Sequence, residues 1–200
     1  MNTIIITGPS GSGKTYLSKK LSKLFENSIV INTDSYYRDN LYIKLLSIFI
    51  YDIYDRYISI KDKCLRKTIF SIYNNEQYAI FHNYDFRSKR STQTKKQINY
   101  PNINRFLILE GIFAHRLDLN YEQTINILCK ERKEICYQRR LIRDKIERGR
   151  SIKEVNKKFS LSWNIYYKYL AKFLNNNNVI PINTTNKTSL RKLIYKLQSL

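Results

Sequence analysis

Gly8-Pro9-Ser10-Gly11-Ser12-Gly13-Lys14-Thr15 stands directly behind the apolar run Ile4-Ile5-Ile6 and ahead of the helix-forming stretch Tyr16-Leu17-Ser18-Lys19-Lys20-Leu21. The segment fits G-x-x-x-x-G-K-[ST] at every fixed position, and a strand before it and a helix after it are the setting in which that pattern works. Glycines at 8, 11 and 13 allow the segment Gly8, Pro9, Ser10, Gly11, Ser12 and Gly13 to turn tightly, so that its N–H groups, of which Pro9 has none, converge on phosphate oxygens. Lys14 is then placed to reach β- and γ-phosphates, and Thr15 to offer a hydroxyl to Mg²⁺. A plain glycine-rich turn with a solvated lysine is the alternative, and the flanking strand and helix argue against it. The loop predicts a site for a nucleoside triphosphate.

Around that loop the hydrophobic pattern alternates between short apolar runs and amphipathic stretches, the signature of a sheet covered by helices on both faces. Strands are predicted at residues 3–7, 28–32, 106–109, 124–129 and 179–182, all short and apolar as buried parallel strands are. Helices are predicted at 14–25, within 41–54, around 61–73, and at 131–147, 152–174 and 189–197. Residues 88–99 read as a polar, basic loop or hairpin on the rim, and the four asparagines at 175–178 as a loop. Trp163 is expected to fix the long C-terminal helix against the core. The fold class is therefore α/β, with a parallel five-stranded sheet. The 200 residues suit one domain with a core that needs neither disulfides nor structural metal.

Cys64, Cys129 and Cys136 are odd in number and lack C-x-x-C spacing, which speaks against a disulfide framework or zinc site and for a reducing compartment. His82 and His115 lie in no ligand spacing and read as structural. No apolar stretch approaches the roughly eighteen residues of a membrane span, since residues 41–54 are interrupted by Lys44 and Asp52. No membrane association is expected, nor is a leader ahead of a phosphate loop that starts so near Met1. A formal net charge of +20 would ordinarily point to nucleic acid. The basic residues are spread from Lys19 to Lys196, however, in a chain rich in Ile, Lys, Asn and Tyr. A/T-rich codons specify those residues, so coding bias accounts for much of the charge and nucleic acid is not the expected partner. That bias suggests an A/T-rich bacterium, with the protein soluble in its cytoplasm, or an organelle gene, with the protein in the stroma of a plastid.

In open parallel sheets, ligands bind beyond the carboxyl ends of the strands. Asp34 follows the second predicted strand and could take the proton from an acceptor hydroxyl or hold Mg²⁺; the competing reading is a helix-capping or turn aspartate. Glu110-Gly111-Ile112 follows the third, placing a carboxylate where it could hold Mg²⁺ or its waters, against the alternative of a surface acid. Arg139, Arg140, Arg143, Arg148 and Arg150 form the densest basic stretch. On a helix ending at Gly149 they could close over a triphosphate, or pair with Asp144, Glu147 and Glu154 as an ordinary solvated face.

Taken in order, Gly8 to Thr15, Asp34-Ser35-Tyr36-Tyr37-Arg38-Asp39, Tyr84-Asp85-Phe86, Leu109-Glu110-Gly111-Ile112, and Arg139-Arg140-Leu141-Ile142-Arg143-Asp144 with Arg148-Gly149-Arg150 resemble the uridine kinase (uridine-cytidine kinase) family, within the group that includes phosphoribulokinase. The resemblance spans residue 3 to about 182. It implies a three-layer P-loop kinase fold with an arginine-bearing lid at about 131–158, and ATP and Mg²⁺ as cofactors. It also implies a small nucleoside as the partner molecule and a tendency toward homo-tetramers. By the same resemblance, Asp34 activates the 5′-hydroxyl while Lys14, Thr15 and Glu110 handle phosphates and Mg²⁺. Arg143 and Arg148 face the triphosphate, Arg140 and Arg150 touch the nucleoside, and Tyr84 packs on the base. Asp55 grips the ribose, with Asp52 as rival.

Two positions depart from the family pattern. Lys89 stands where a histidine usually helps read the pyrimidine, and Lys158 where a glutamine follows the arginine turn. Cations there could favour an anionic acceptor such as a sugar phosphate, or they could be products of coding drift. The expected function is transfer of the ATP γ-phosphoryl to uridine or cytidine. A kinase of another small alcohol and a non-catalytic nucleotide-sensing or RNA-binding protein are the alternatives.

Overall fold

A computed structural model supplies the coordinates, and the structure describes residues 1–25, 27–98, 106–117, 119, 124–176 and 178–199. The chain runs β1 (Asn2–Thr7), α1 (Lys14–Leu24), β2 (Ile29–Asn32), α2 (Leu41–Phe49), α3 (Asp62–Tyr73), β3 (Tyr78–Asp85), β4 (Arg90–Gln97), β5 (Phe106–Glu110), β6 (Thr124–Cys129), α4 (Lys133–Arg148), α5 (Ile152–Asn176), β7 (Val179–Ile182) and α6 (Lys187–Gln198). Short 3₁₀ turns come after β2, at Thr33–Tyr36, and after α2, at Ile53–Asp55.

Five strands make a parallel sheet in the order β2-β5-β1-β6-β7. Alternation along β1 separates the layers. Ile5 points to one side with Ile31, Leu107 and Leu109, where Leu65, Ile69 and Ile72 of α3 cover them. Ile4 and Ile6 point to the other, where Leu17 and Leu21 of α1 and Leu190, Leu193 and Leu197 of α6 complete a second cluster. Both faces being covered explains why the strands read as unbroken apolar runs. The three-layer P-loop fold and the five-stranded parallel sheet are as the sequence predicts, and among the described residues no helix is long and apolar enough to cross a membrane.

Three local expectations change. Tyr78–Asp85 is a strand that the sequence pattern does not anticipate. It pairs antiparallel with Arg90–Gln97, so of the two readings of residues 88–99 the hairpin holds, residues 88–97 being its turn and second arm, with residue 99 outside the described residues. This hairpin stands apart from the main sheet, and one arm, RSTQTKKQ, is almost wholly exposed, so it carries no apolar alternation to betray it. Helix α5 runs on to Asn176, taking up the first two asparagines of the predicted loop; residue 177 lies outside the described residues. Trp163 is half-buried and stacks along its own helix, with Phe159 at 5.5 Å and Tyr167 at 4.9 Å between ring centroids. Tyr166, Leu170 and Phe173 make the core contact with Leu128 instead.

Candidate active site

The C-terminal ends of β1, β2 and β5 open on a cleft of about 660 Å³, within the range of small-molecule sites. Its floor is the loop between β1 and α1. Gly11 there has φ +88°, and a Cβ on it would come within 2.9 Å of the Cys136 carbonyl carbon, so only glycine lets the loop pass beneath α4. Lys14 opens α1, is 7% exposed, and donates from Nζ to the carbonyls of Gly8 (3.0 Å) and Pro9 (3.1 Å). Those two carbonyls hold its ammonium inside the loop's concavity.

Thr15 and Glu110 meet at the cleft floor, the Thr15 hydroxyl donating to Glu110 Oε1 at 3.0 Å. Glu110 is 3% exposed, so it is not a surface acid. Burial pushes its carboxyl up, against the pull of Lys14, and the nearby Asp34 charge adds to the rise. A hydroxyl and a carboxylate are hard oxygen donors, and Mg²⁺ typically uses one or two carboxylates plus phosphates and waters, so the pair fits that ion. Among the described residues no cluster of three or more His, Cys, Asp or Glu is arranged for a metal.

Asp34 sits in the 3₁₀ turn after β2, and Asn32, not Asp34, is the capping residue, its side chain accepting from the Asp34 N–H at 2.8 Å. The Asp34 carboxylate instead accepts from the Ile112 N–H, at 3.0 Å to Oδ1 and 3.3 Å to Oδ2. Burial of the carboxyl raises its pKa, opposed by Lys14, the Ile112 N–H, Arg143 and Arg148. Gly111 makes the approach of these two segments feasible, because a Cβ there would strike the Thr33 hydroxyl and come within 2.8 Å of Asp34 Oδ1.

Helix α4 forms the wall above the loop, and Gly149, with φ +63°, ends it as the arginine turn predicts. Arg139 donates to the Gly11 carbonyl at 3.1 Å and Arg143 to Ser10 Oγ at 3.2 Å. Arg148 lies over the Phe86 ring at 3.8 Å from its centroid, tying α4 to the hairpin. Arg140 is 4% exposed and donates to Ser162 Oγ, and Arg150 pairs with Asp144 at 2.7 Å. The stretch thus pairs with Asp144, as the ion-paired alternative has it, and also reaches the phosphate loop through Arg139 and Arg143.

The far end of the cleft holds Asp55, Tyr84, Lys89, Arg150 and Lys158. Asp52 pairs with Arg56 at 3.0 Å and does not line the cleft, so Asp55 is the acid that faces it. Burial raises the Asp55 carboxyl against Arg140, Lys158 and Arg150. Tyr84 is 6% exposed within an aromatic group, 5.4 Å from Tyr37 and 5.0 Å from Phe86 between centroids. Lys89 is at the hairpin turn with φ +54°, and Lys158 reaches from α5 to 4.3 Å from the Tyr51 ring. Burial lowers the Lys158 pKa, Arg150 adding to the effect.

Apart from Asp52, the site residues singled out in the sequence border this one cleft or, like Gly8, Pro9 and Ser12, shape the loop beneath it. Tyr51, Tyr54 and Arg87 also line it without having been anticipated, because none belongs to a spaced motif. Tyr37 and Phe86 fall inside recognised motifs, but only the fold shows them as walls.

Comparison with known proteins identifies the family. The model of the family described as Phosphoribulokinase / Uridine kinase family matches residues 3–189. Uridine-cytidine kinase C of Dictyostelium discoideum is 32% identical over 120 residues, covering 57% of this chain but only 25% of that relative's length. The uridine kinase of Haemophilus influenzae (strain PittEE) is 29% identical over 161 residues, covering 76% of this chain and 72% of that relative. Among solved structures, a candidate fructose transport system kinase from Silicibacter sp. TM1040 superposes with a TM-score of 0.62 at 12% identity, covering 84% of each chain. A candidate uridine kinase from Bacillus stearothermophilus gives 0.51 at 13% identity, covering 89% of this chain and 87% of that one. With its phosphate loop, strand-end acids and arginine-bearing wall around one cleft, this chain belongs to the phosphoribulokinase/uridine kinase family and is a P-loop kinase-type phosphotransferase.

Proposed function

We propose that the chain transfers the γ-phosphoryl of ATP to the 5′-hydroxyl of uridine or cytidine. The observation that carries this reading is the convergence of Lys14, Thr15, Glu110, Asp34, Arg143 and Arg148 on one cleft whose far end holds Asp55 and Tyr84. Mg²⁺ held by Thr15 and Glu110 would supply charge neutralisation at the phosphate oxygens. Lys14 exchanges two loop carbonyls for phosphate oxygens, and the loop's N–H groups cradle the rest of the triphosphate. Asp34 accepts the proton of the acceptor hydroxyl, its carboxylate oriented by the Ile112 N–H. Arg143 and Arg148 offset the charge that spreads over the transferred group. In-line phosphoryl transfer is mainly a matter of such positioning and electrostatics.

A second acceptor class is favoured by the charge of the cleft's far end, where Arg87, Lys89, Arg150 and Lys158 outnumber the acids Asp55 and Glu154. An acceptor with its own phosphate would satisfy those cations. An ATP-consumption screen with uridine, cytidine and ribulose 5-phosphate decides between them. Turnover with the nucleosides supports the first reading, and turnover with the sugar phosphate alone replaces it.

A further inference from the structure

Asp144 lies in the middle of α4 with a side chain that is 0% exposed, and it is shared by four arginines. The sharing is divided by oxygen. Oδ1 accepts from Arg143 Nε at 3.0 Å and Nη2 at 2.8 Å, and has Arg148 Nη1 at 3.5 Å. Oδ2 accepts from Arg150 Nη1 at 2.7 Å and has Arg140 Nε at 3.5 Å. Under the proposed function, on which the present inference rests, Arg143 and Arg148 serve the triphosphate, while Arg140 and Arg150, which line the same cleft, serve the acceptor as the family resemblance implies. Each oxygen of one carboxylate therefore holds the cations of one substrate.

From this geometry we infer that Asp144 is a positioning residue that couples nucleotide binding to acceptor binding. One buried negative charge cannot fully pair with four guanidinium groups, so the two pairs compete for it. A triphosphate that draws Arg143 and Arg148 toward itself leaves the charge to Arg150 and Arg140. These are then held more firmly, and a pre-set pair of donors binds the acceptor more tightly. Reciprocity requires the acceptor to tighten nucleotide binding by the same factor. Burial works to raise the Asp144 pKa, but Arg143, Arg148 and Arg140 outweigh it and hold the carboxyl below its ordinary value, so the charge is present at neutral pH.

The test tracks the arginine Nε–H resonances of the full chain by NMR during titration with Mg²⁺ and the β,γ-imido analogue of ATP. In the native protein the Arg150 and Arg140 signals should move together with those of Arg143 and Arg148. In Asp144→Asn, which keeps the side chain's shape, only Arg143 and Arg148 should respond. A native Arg150 signal indifferent to nucleotide, or an equal response in the variant, overturns the inference. The native titration alone decides the point should Asp144→Asn fail to fold. Uridine affinity measured with and without the analogue should differ by about 5-fold or more in the native protein and be equal in the variant. Absence of uridine binding in both would refute the proposed acceptor while the resonance test still judges the coupling.

Discussion

The Thr15 hydroxyl reaches Glu110 Oε1 across 3.0 Å, joining the first turn of α1 to the last residue of β5. The two groups best suited to Mg²⁺ are thus brought into contact by elements almost a hundred positions apart in sequence. Glu110→Gln keeps a hydrogen-bond acceptor but removes the charge. It should raise the Mg²⁺ concentration needed for half-maximal turnover by about 10–100-fold, read from a Mg²⁺ titration at fixed ATP. An unchanged requirement would take Glu110 out of the metal site.

Asp34→Asn should lower turnover by about 10²–10⁴-fold with ATP binding nearly intact. It should also stabilise the free protein at pH 7. The sign is set by the raised pKa: burial disfavours the ionised carboxyl in the folded state, so stability is lost as pH rises through the folded-state value. Asn carries no such charge and keeps an oxygen for the Ile112 N–H. The gain in denaturation midpoint should vanish below the ordinary aspartate value of 3.8, where both proteins are neutral at this position.

Gly111→Ala would place a methyl against Thr33 and within 2.8 Å of Asp34 Oδ1. Relief of that clash should cost about 1–3 kcal/mol of stability and, by displacing the carboxylate, about 10²-fold in turnover. Calorimetry and steady-state kinetics on one preparation check both. A variant that is destabilised yet fully active would show that Asp34 tolerates displacement.

His115 accepts or donates at Nδ1 to the Thr7 hydroxyl across 2.8 Å, and burial, reinforced by Arg116, lowers its pKa to about 4. The unfolded chain binds a proton near 6.5 that the folded one refuses, so this group's contribution is intact above pH 6.5 and lost as pH falls toward 4. The loss amounts to roughly 3 kcal/mol over that window. Chemical denaturation at successive pH values should show a shallower decline between those limits in His115→Asn than in the native protein.

How much of this is legible in the sequence depends on the kind of signal. The phosphate loop, the strand-end acids and the arginine stretch announce themselves because each needs fixed residues at fixed spacing, and the fold brings all of them to one cleft. The layered sheet is legible because its strands are buried on both faces. The β3–β4 hairpin is legible only in part: its first strand is not anticipated, and its second arm reads equally as loop or hairpin, since an arm exposed to water can be built from Arg, Ser, Thr, Gln and Lys. Tyr51 is invisible for another reason. It reaches the cleft from a segment with no motif, and Lys157 and Lys158, which lie at 4.2 and 4.3 Å from its ring, are more than a hundred positions later. The division of Asp144 between two pairs of arginines is likewise a property of side-chain direction on α4 and in the turn that follows it, which spacing leaves open.

Glu110 is the register partner of Ile6 on one side and of Asn32 on the other. That one rung lines up the strand leading into the phosphate loop with the strand leading into Asp34. Alignment of the candidate site is therefore written into the ladder of the sheet itself, and damage far from the cleft can displace these groups as much as damage within it. A bulge or a one-residue slip anywhere along β5 would carry its terminal acid out of line with both neighbours while every motif in the chain remained intact.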